Sequence, residues 1–223
     1  MFISSPLPLR PNTHQDFILE ILLQKGGRQI QFEANQIISE ELLEVGLIFI
    51  TYGIVKSFAV QKNGDDFFLD LLKRGDVLGT VKRVNAEFQN AARAMTKSMA
   101  IYIQHEDVQN FYDTDHSMSM FFNNVFRSKA QKLEDRYLNN IALDIKTRLK
   151  EFYKRYALEF GSKKTDDYLI QNHLSHQEIA QLLNSSRQTI SATLNQWRNQ
   201  NLLNYSRKVI RLHDLEFFGL DKE

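Results

Sequence analysis

The run Leu174 to Asn201, LSHQEIAQLLNSSRQTISATLNQWRNQN, carries two helix starts so close together that only a short helix and a sharp turn fit between them. Ser175 and Glu178 make a Ser-x-x-Glu capping box, and Leu174 and Ile179 flank it as a hydrophobic staple. Ile179, Ala180 and Leu183 form one apolar face. Asn184 follows, and asparagine tolerates the left-handed backbone that such a turn needs. Ser185 and Ser186 can cap a second helix, whose apolar stripe is Ile190, Leu194 and Trp197 at helical spacing. Ala180 is small where two crossing helices must approach closely. This phasing turns Ser186, Arg187, Gln188, Ser191, Ala192 and Asn195 outward.

The outward set has the chemistry of a DNA groove reader. Arg donates a bidentate pair to guanine O6 and N7, and Gln does the same work on adenine. Ser, Thr and the amides of a helix N-terminus suit phosphate oxygens. In a helix-turn-helix the first residues of the second helix meet base edges, and Arg187 and Gln188 stand there. The plain alternative is a helical hairpin with a solvated polar face. Two caps, a turn and a polar tip in one run weigh against it. The charge pattern agrees. The whole chain has a formal charge of only +1, yet Arg187, Arg198, Arg207, Lys208 and Arg211 share the segment 175–211 with one acid, Glu178. A basic module on a near-neutral chain is an electrostatic footprint for phosphate.

A length of 223 residues suits one large domain or two small ones, with apolar content ample for a core. No apolar run is long enough for a membrane span, and MFISSPLPLRPN lacks a charged start before a long apolar core, so neither membrane insertion nor a signal peptide is expected. The expected location is cytoplasmic. The absence of cysteine excludes disulfides, thiolate clusters and a cysteine nucleophile.

The first half, to about Ile103, reads as strands: LIFIT (Leu47 to Thr51), IVKSFAV (Ile54 to Val60), DFFLDLL (Asp66 to Leu72) and MAIYI (Met99 to Ile103). Lys62-Asn63-Gly64-Asp65 is a hairpin turn built on Asn-Gly, and Lys73-Arg74-Gly75-Asp76 punctuates the next. Short strands at such spacing suggest an antiparallel barrel or roll. A short helix is expected at Asp107 to Tyr112 and a long one from about Ser117 towards Asn140. Along the latter Phe122, Phe126, Ala130, Leu133 and Tyr137 recur every three or four residues, as in a coiled-coil seam. Packing on the chain's own barrel is the alternative for that stripe. A further amphipathic helix spans about Asp144 to Phe160, with Gly161 as its terminal cap and 161–167 as a polar loop. The hinge is expected at 140–144. LLNYSRKVIRL (Leu202 to Leu212) reads as a hairpin with its tip at 205–208, and Asp214 caps a last short helix.

The order of strand roll, long helix and winged helix-turn-helix resembles the Crp/Fnr family of bacterial regulators. The likeness spans nearly the whole chain. It is strongest in SHQEIAQLLNSSRQTISATLNQWRNQNLL, with support from LDIKTRL and KNGDDFFLDLLKRGDVLG. The resemblance implies an α+β chain with an N-terminal antiparallel β-roll of cyclic-nucleotide-binding type, a dimerisation helix and a C-terminal winged helix-turn-helix. The division would be 1–116, 117–142 and 143–223. It implies a homodimer on palindromic double-stranded DNA that recruits or blocks RNA polymerase. Arg187 and Gln188 would be base readers. Well-known members carry Glu at the second position, so Gln188 implies another base preference. A further Arg of the family falls on Ala192, which could touch a thymine methyl. Ser175, His176, Ser186 and Thr189 would position phosphates, with Ser206 and Lys208 at the wing, while Ser191 belongs to the outward face.

The roll departs from the nucleotide-binding members. Those place a Glu just after the Gly turn and an Arg-Ser pair further on, which neutralises the cyclic phosphate. Here Thr80 follows Gly79, and Phe88 and Gln89 fall at the Arg-Ser position. A buried phosphate without a cation is costly. Lys82, Arg83 or Arg93 are the substitutes within reach. Cyclic AMP is therefore not the expected effector. The hollow would hold another small molecule, a cyclic nucleotide on substitute cations, or nothing. No cofactor or metal is expected, because the six histidines are scattered. An enzyme of cupin type would need converging His and carboxylate ligands, which the strands lack. An interaction module without DNA affinity would have no use for Arg187 at a helix tip.

Overall fold

A computed structural model describes residues 14–79 and 87–220, the side chains of 14–18 excepted. The chain forms two compact units that divide between Arg127 and Ser128.

The N-terminal unit opens with α1 (His14–Gln24), followed by β1 (Arg28–Phe32), β2 (Ile37–Ile38), α2 (Glu40–Val45) and β3 (Gly46–Tyr52). β4 (Val55–Gln61), β5 (Asp66–Leu72), β6 (Val77–Leu78), β7 (Phe88–Ala94) and β8 (Ser98–Gln104) complete the strands. They pair antiparallel in two sheets, ordered β1-β8-β3-β6 and β2-β7-β4-β5. Ile48, Ile50, Val55, Leu72, Ala92, Ala94, Ala100 and Tyr102 fill the core of the roll. The alternate residues Leu47, Phe49, Ile101 and Ile103 face a second core shared with Leu19 and Leu22 of α1. β3 and β8 are thus covered on both faces, which is why their sequences are almost unbroken apolar runs. The hairpin after β4 turns at Gly64, with φ +91°, while Asn63 Oδ1 accepts from the Asp65 amide at 3.0 Å.

Two helices interrupt the expected run of strands. α1 buries Leu19 and Leu22 against the first sheet. α2 begins with Glu40 and Glu41, acids that suit a helix N-terminus, and drops Leu43 into the core of the roll. α3 (His105–Thr114) and α4 (His116–Ala142) follow, both longer than expected. Phe122 departs from the expected seam. It is 0% exposed, ringed by Phe49, Phe111, Tyr112 and Phe121 at 5.5–6.1 Å. It anchors α4 to its own unit, the alternative the sequence left open for this stripe. Phe126, Ala130, Leu133, Tyr137 and Ile141 are exposed.

In the C-terminal unit Asp144 caps α5 (Ile145–Phe160), accepting from the amides of Lys146 and Thr147 at 2.9 and 3.2 Å. Then come β9 (Gly161–Lys164), β10 (Asp167–Gln171), α6 (His176–Leu182), α7 (Arg187–Asn199), β11 (Leu203–Tyr205), β12 (Val209–Leu212) and α8 (Leu215–Phe218). The strands form one antiparallel sheet, β11-β12-β10-β9. The polar stretch 161–167 is therefore no loop. β9 is an edge strand held by backbone bonds to β10, and Lys163 and Lys164 suit such an edge. Gly161 does end α5, yet at φ −95°, outside the left-handed region. No helix among the described residues is long and apolar enough to cross a membrane.

Candidate nucleic-acid interface

α6 begins with a complete capping box. Ser175 Oγ accepts from the Glu178 amide at 3.2 Å, and Glu178 Oε2 accepts from the Ser175 amide at 2.7 Å. Leu174 and Ile179 are buried beside it, as a staple requires. After Leu183 the chain reverses at Asn184, with φ +47°. The Ser185 amide reaches back to the Ala180 carbonyl at 2.9 Å and satisfies an acceptor that the helix end would leave bare. Ser186 caps α7, its Oγ accepting from the Thr189 amide at 3.0 Å.

One face of α7 is fixed by packing. Ile190, Thr193, Leu194 and Trp197 are buried. Trp197 lies edge-to-face with Phe217 and Phe218 at 5.3 and 5.8 Å, and with Tyr153 of α5 at 6.5 Å. Tyr153 is wholly buried, which pushes its phenol pKa up. Tyr156 donates to the Gln171 carbonyl at 3.2 Å and accepts from the His173 amide at 3.1 Å. Burial pushes its pKa to about 12 despite the opposing pull of the His173 amide. With its inner face held this way, α7 presents Arg187, Gln188, Ala192 and Asn195 to solvent, with Thr189 and Ser191 half-buried.

The wing tip is built by side chains. Ser206 Oγ accepts from the amides of Lys208 and Val209 at 3.2 and 3.0 Å. Asn172 clamps the same turn, its backbone amide donating to Lys208 O and its Nδ2 to Ser206 O, each at 2.8 Å. Arg207 and Lys208 stand exposed at the tip.

The hydroxyls expected to grip phosphate all have internal partners. Ser175 and Ser186 cap helices, Thr189 Oγ1 lies 2.8 Å from Ser186 Oγ, and Ser206 shapes the wing. Ser191 Oγ is 2.8 Å from His176 Nδ1. His176 is half-buried, its ring edge-on to Tyr205 at 5.0 Å. Burial first, and then the Arg187 guanidinium, hold its pKa below the usual histidine value. Tyr205 donates to Asn195 Oδ1 at 2.9 Å, and the Arg198 guanidinium lies 5.6 Å from the Tyr205 ring. The sequence reading missed the roles of Asn172, Tyr205 and Arg198. Only Asn172 had a local signal, as a side chain able to accept from the Leu174 amide two residues on, here at 3.1 Å. At the end of α4, Arg148 donates to Asn140 O at 3.1 Å, and Asn140 Nδ2 donates to Leu182 O at 3.4 Å. These bonds tie the junction of α4 and α5 to the end of α6.

In the roll, Gly79 ends β6 with φ +92°, and a Cβ there would collide with the carbonyl oxygen of Gly46. Thr80, Lys82 and Arg83 lie outside the described residues. Phe88 is half-buried and edge-on to Phe67 at 6.0 Å, and Gln89 is exposed opposite Val60. Arg93 is exposed between the buried Ala92 and Ala94, so strand alternation turns it away from the core of the roll. Among the described residues no group of three or more His, Asp or Glu side chains converges as a metal site.

Residues 154–217 match the model of the Crp-like helix-turn-helix domain, and residues 29–115 match that of the cyclic nucleotide-binding domain. The chain belongs to the Crp/Fnr family. This Crp/Fnr protein is a DNA-binding transcriptional regulator and not an enzyme. It is 25% identical over 169 residues to the global nitrogen regulator of Synechocystis sp., covering 74% of this chain and 75% of that one. Its fold is that of a CooA variant from Carboxydothermus hydrogenoformans, with TM-score 0.70, 20% identity and 96% and 95% of the two chains covered. It is likewise that of FixK2 from Bradyrhizobium japonicum, with TM-score 0.67, 15% identity and 88% and 98% covered.

Proposed function

We propose that this Crp/Fnr regulator works as a cytoplasmic homodimer on a palindromic DNA site, with Arg187 and Gln188 reading bases and Lys208 meeting phosphate beside the groove. The functional division is 1–116 as sensor, 117–142 as dimerisation helix and hinge, and 143–223 as the DNA-binding domain. RNA polymerase is the partner on which such a regulator acts. The observation that carries this reading is the exposure of Arg187 and Gln188 in the first turn of a capped helix whose other face is pinned by Trp197. The apolar exposed stripe Phe126, Leu133 and Tyr137 supplies the two-fold contact that pairs the recognition helices. Selection of bound genomic fragments tests the site and its symmetry. Arg187→Ala is expected to cost about 1–3 kcal/mol on the selected site and to relax one base pair. Equal losses on selected and random DNA would remove it from the base readers.

The roll does not hold cyclic AMP in this reading, since Phe88 and Gln89 stand at the phosphate-neutralising position and Arg93 faces away. The match of 29–115 to the cyclic nucleotide-binding model favours a second form, in which the roll takes a cyclic nucleotide on substitute cations or another small effector. Calorimetric titration with cyclic AMP and cyclic GMP is expected to give no heat of binding. Micromolar binding of either would overturn the first form.

A further inference from the structure

We infer that His176 is a positioning residue of the DNA interface, which makes the Ser191 hydroxyl an acceptor towards DNA and so decides which bases Ser191 can read. This rests on the proposed entry of α7 into the groove. Ser191 lies four residues beyond Arg187, on the same face of α7. A serine hydroxyl by itself is an ambiguous reader, able to donate or accept. Here it is not by itself, because Nδ1 of His176 stands 2.8 Å away. With the ring proton on Nε2, the Nδ1 lone pair is the stronger base of the two and Ser191 donates its hydrogen to it. The oxygen then keeps only lone pairs for DNA. It matches the amino groups of adenine N6 or cytosine N4 and rejects guanine O6 and thymine O4.

The surroundings hold this arrangement. Tyr205 of the wing lies against the His176 ring and donates to Asn195, the next position on the same face of α7. The charged and titratable groups around the ring are Arg187 on α7, the Tyr205 phenol and, behind it, Arg198. Glu178, on the same helix as His176, is turned back to the Ser175 amide. A cation as neighbour and a half-buried ring both favour neutral imidazole. Protonation would force Nδ1 to donate, turning Ser191 outward as a donor and reversing its preference between amino and carbonyl edges.

The test compares full-length wild type, Ser191→Ala, His176→Leu, His176→Asn and the double variant Ser191→Ala/His176→Leu. Each binds four duplexes that differ only at the base pair opposite Ser191. At about pH 7.5, His176→Leu is expected to flatten the preference at that pair by about fivefold, as Ser191→Ala does, with no further loss in the double variant. His176→Asn, with an amide oxygen close to the place of Nδ1, is expected to keep it. Lowering the pH from about 7.5 is expected to shift the preference towards carbonyl edges in wild type, as His176 takes up a proton, but not in His176→Asn. An unchanged preference in His176→Leu, or an equal loss on all four duplexes with a lower salt slope, would overturn the inference. So would loss of the discrimination that Arg187 provides, since that marks general distortion. If Arg187→Ala weakens selected and random DNA equally, the entry of α7 fails instead, and the two failures are told apart.

Discussion

In the N-terminal unit two sheets meet over apolar residues, and Arg93 of β7 points outward. In the C-terminal unit an equally apolar core carries a rim of exposed Arg187, Gln188, Arg207 and Lys208. The first arrangement encloses; the second presents. A rim reader needs rigid support behind each exposed group, and the packing of Trp197 and the bonds of Ser186, Ser206 and Asn172 supply it. An enclosing roll needs instead a hollow whose polarity matches its ligand.

The contrast can be broken at several points, the largest first. Trp197→Ala should cost about 3–5 kcal/mol and fall on the C-terminal unit. Phe122→Ala should cost as much but fall on the roll, while Leu133→Glu should leave both folds intact and yield monomers. Hydrogen exchange resolves which unit loosens, and sedimentation reads the dimer. A dimer that survives Leu133→Glu would move the interface off α4.

Tyr156 sharpens the comparison at alkaline pH. Its folded pKa of about 12 lies above the unfolded value of about 10, so its contribution is complete below pH 10 and is lost as pH rises to 12. Wild type should therefore lose up to about 2–3 kcal/mol more than Tyr156→Phe across that window. Parallel stability curves for the two proteins would contradict the assignment. The smallest effect belongs to the wing: Lys208→Ala should weaken binding on all sequences and lower the salt slope by about one. An unchanged slope would take Lys208 out of contact with phosphate.

What could be read from the chain was local. The capping box of Ser175 and Glu178, the left-handed Asn184, the Ser186 cap and the buried stripe of α7 all depend on residues within a few positions of each other, so spacing alone carries them. The same holds for the Gly64 hairpin and for the doubly buried runs of β3 and β8. What depended on contacts distant in sequence could not be read. β9 looks like a loop until β10 lends it hydrogen bonds, and α1 looks like more strand until the first sheet offers Leu19 and Leu22 a surface. Phe122 fits a seam by spacing, yet aromatics of β3 and α3, with its own neighbour Phe121, take it inward.

The site divides along the same line. Sequence by itself determined which cations and amides reach the surface, because helix phase decides that. Only the tertiary structure decided which hydroxyls remain for DNA. Ser206 is drawn into its own turn by a wing held from Asn172, and Ser191 is paired with a histidine fifteen residues away. A hydroxyl bonds with whichever partner the packing brings within about 3 Å, and residue type and spacing do not encode that proximity.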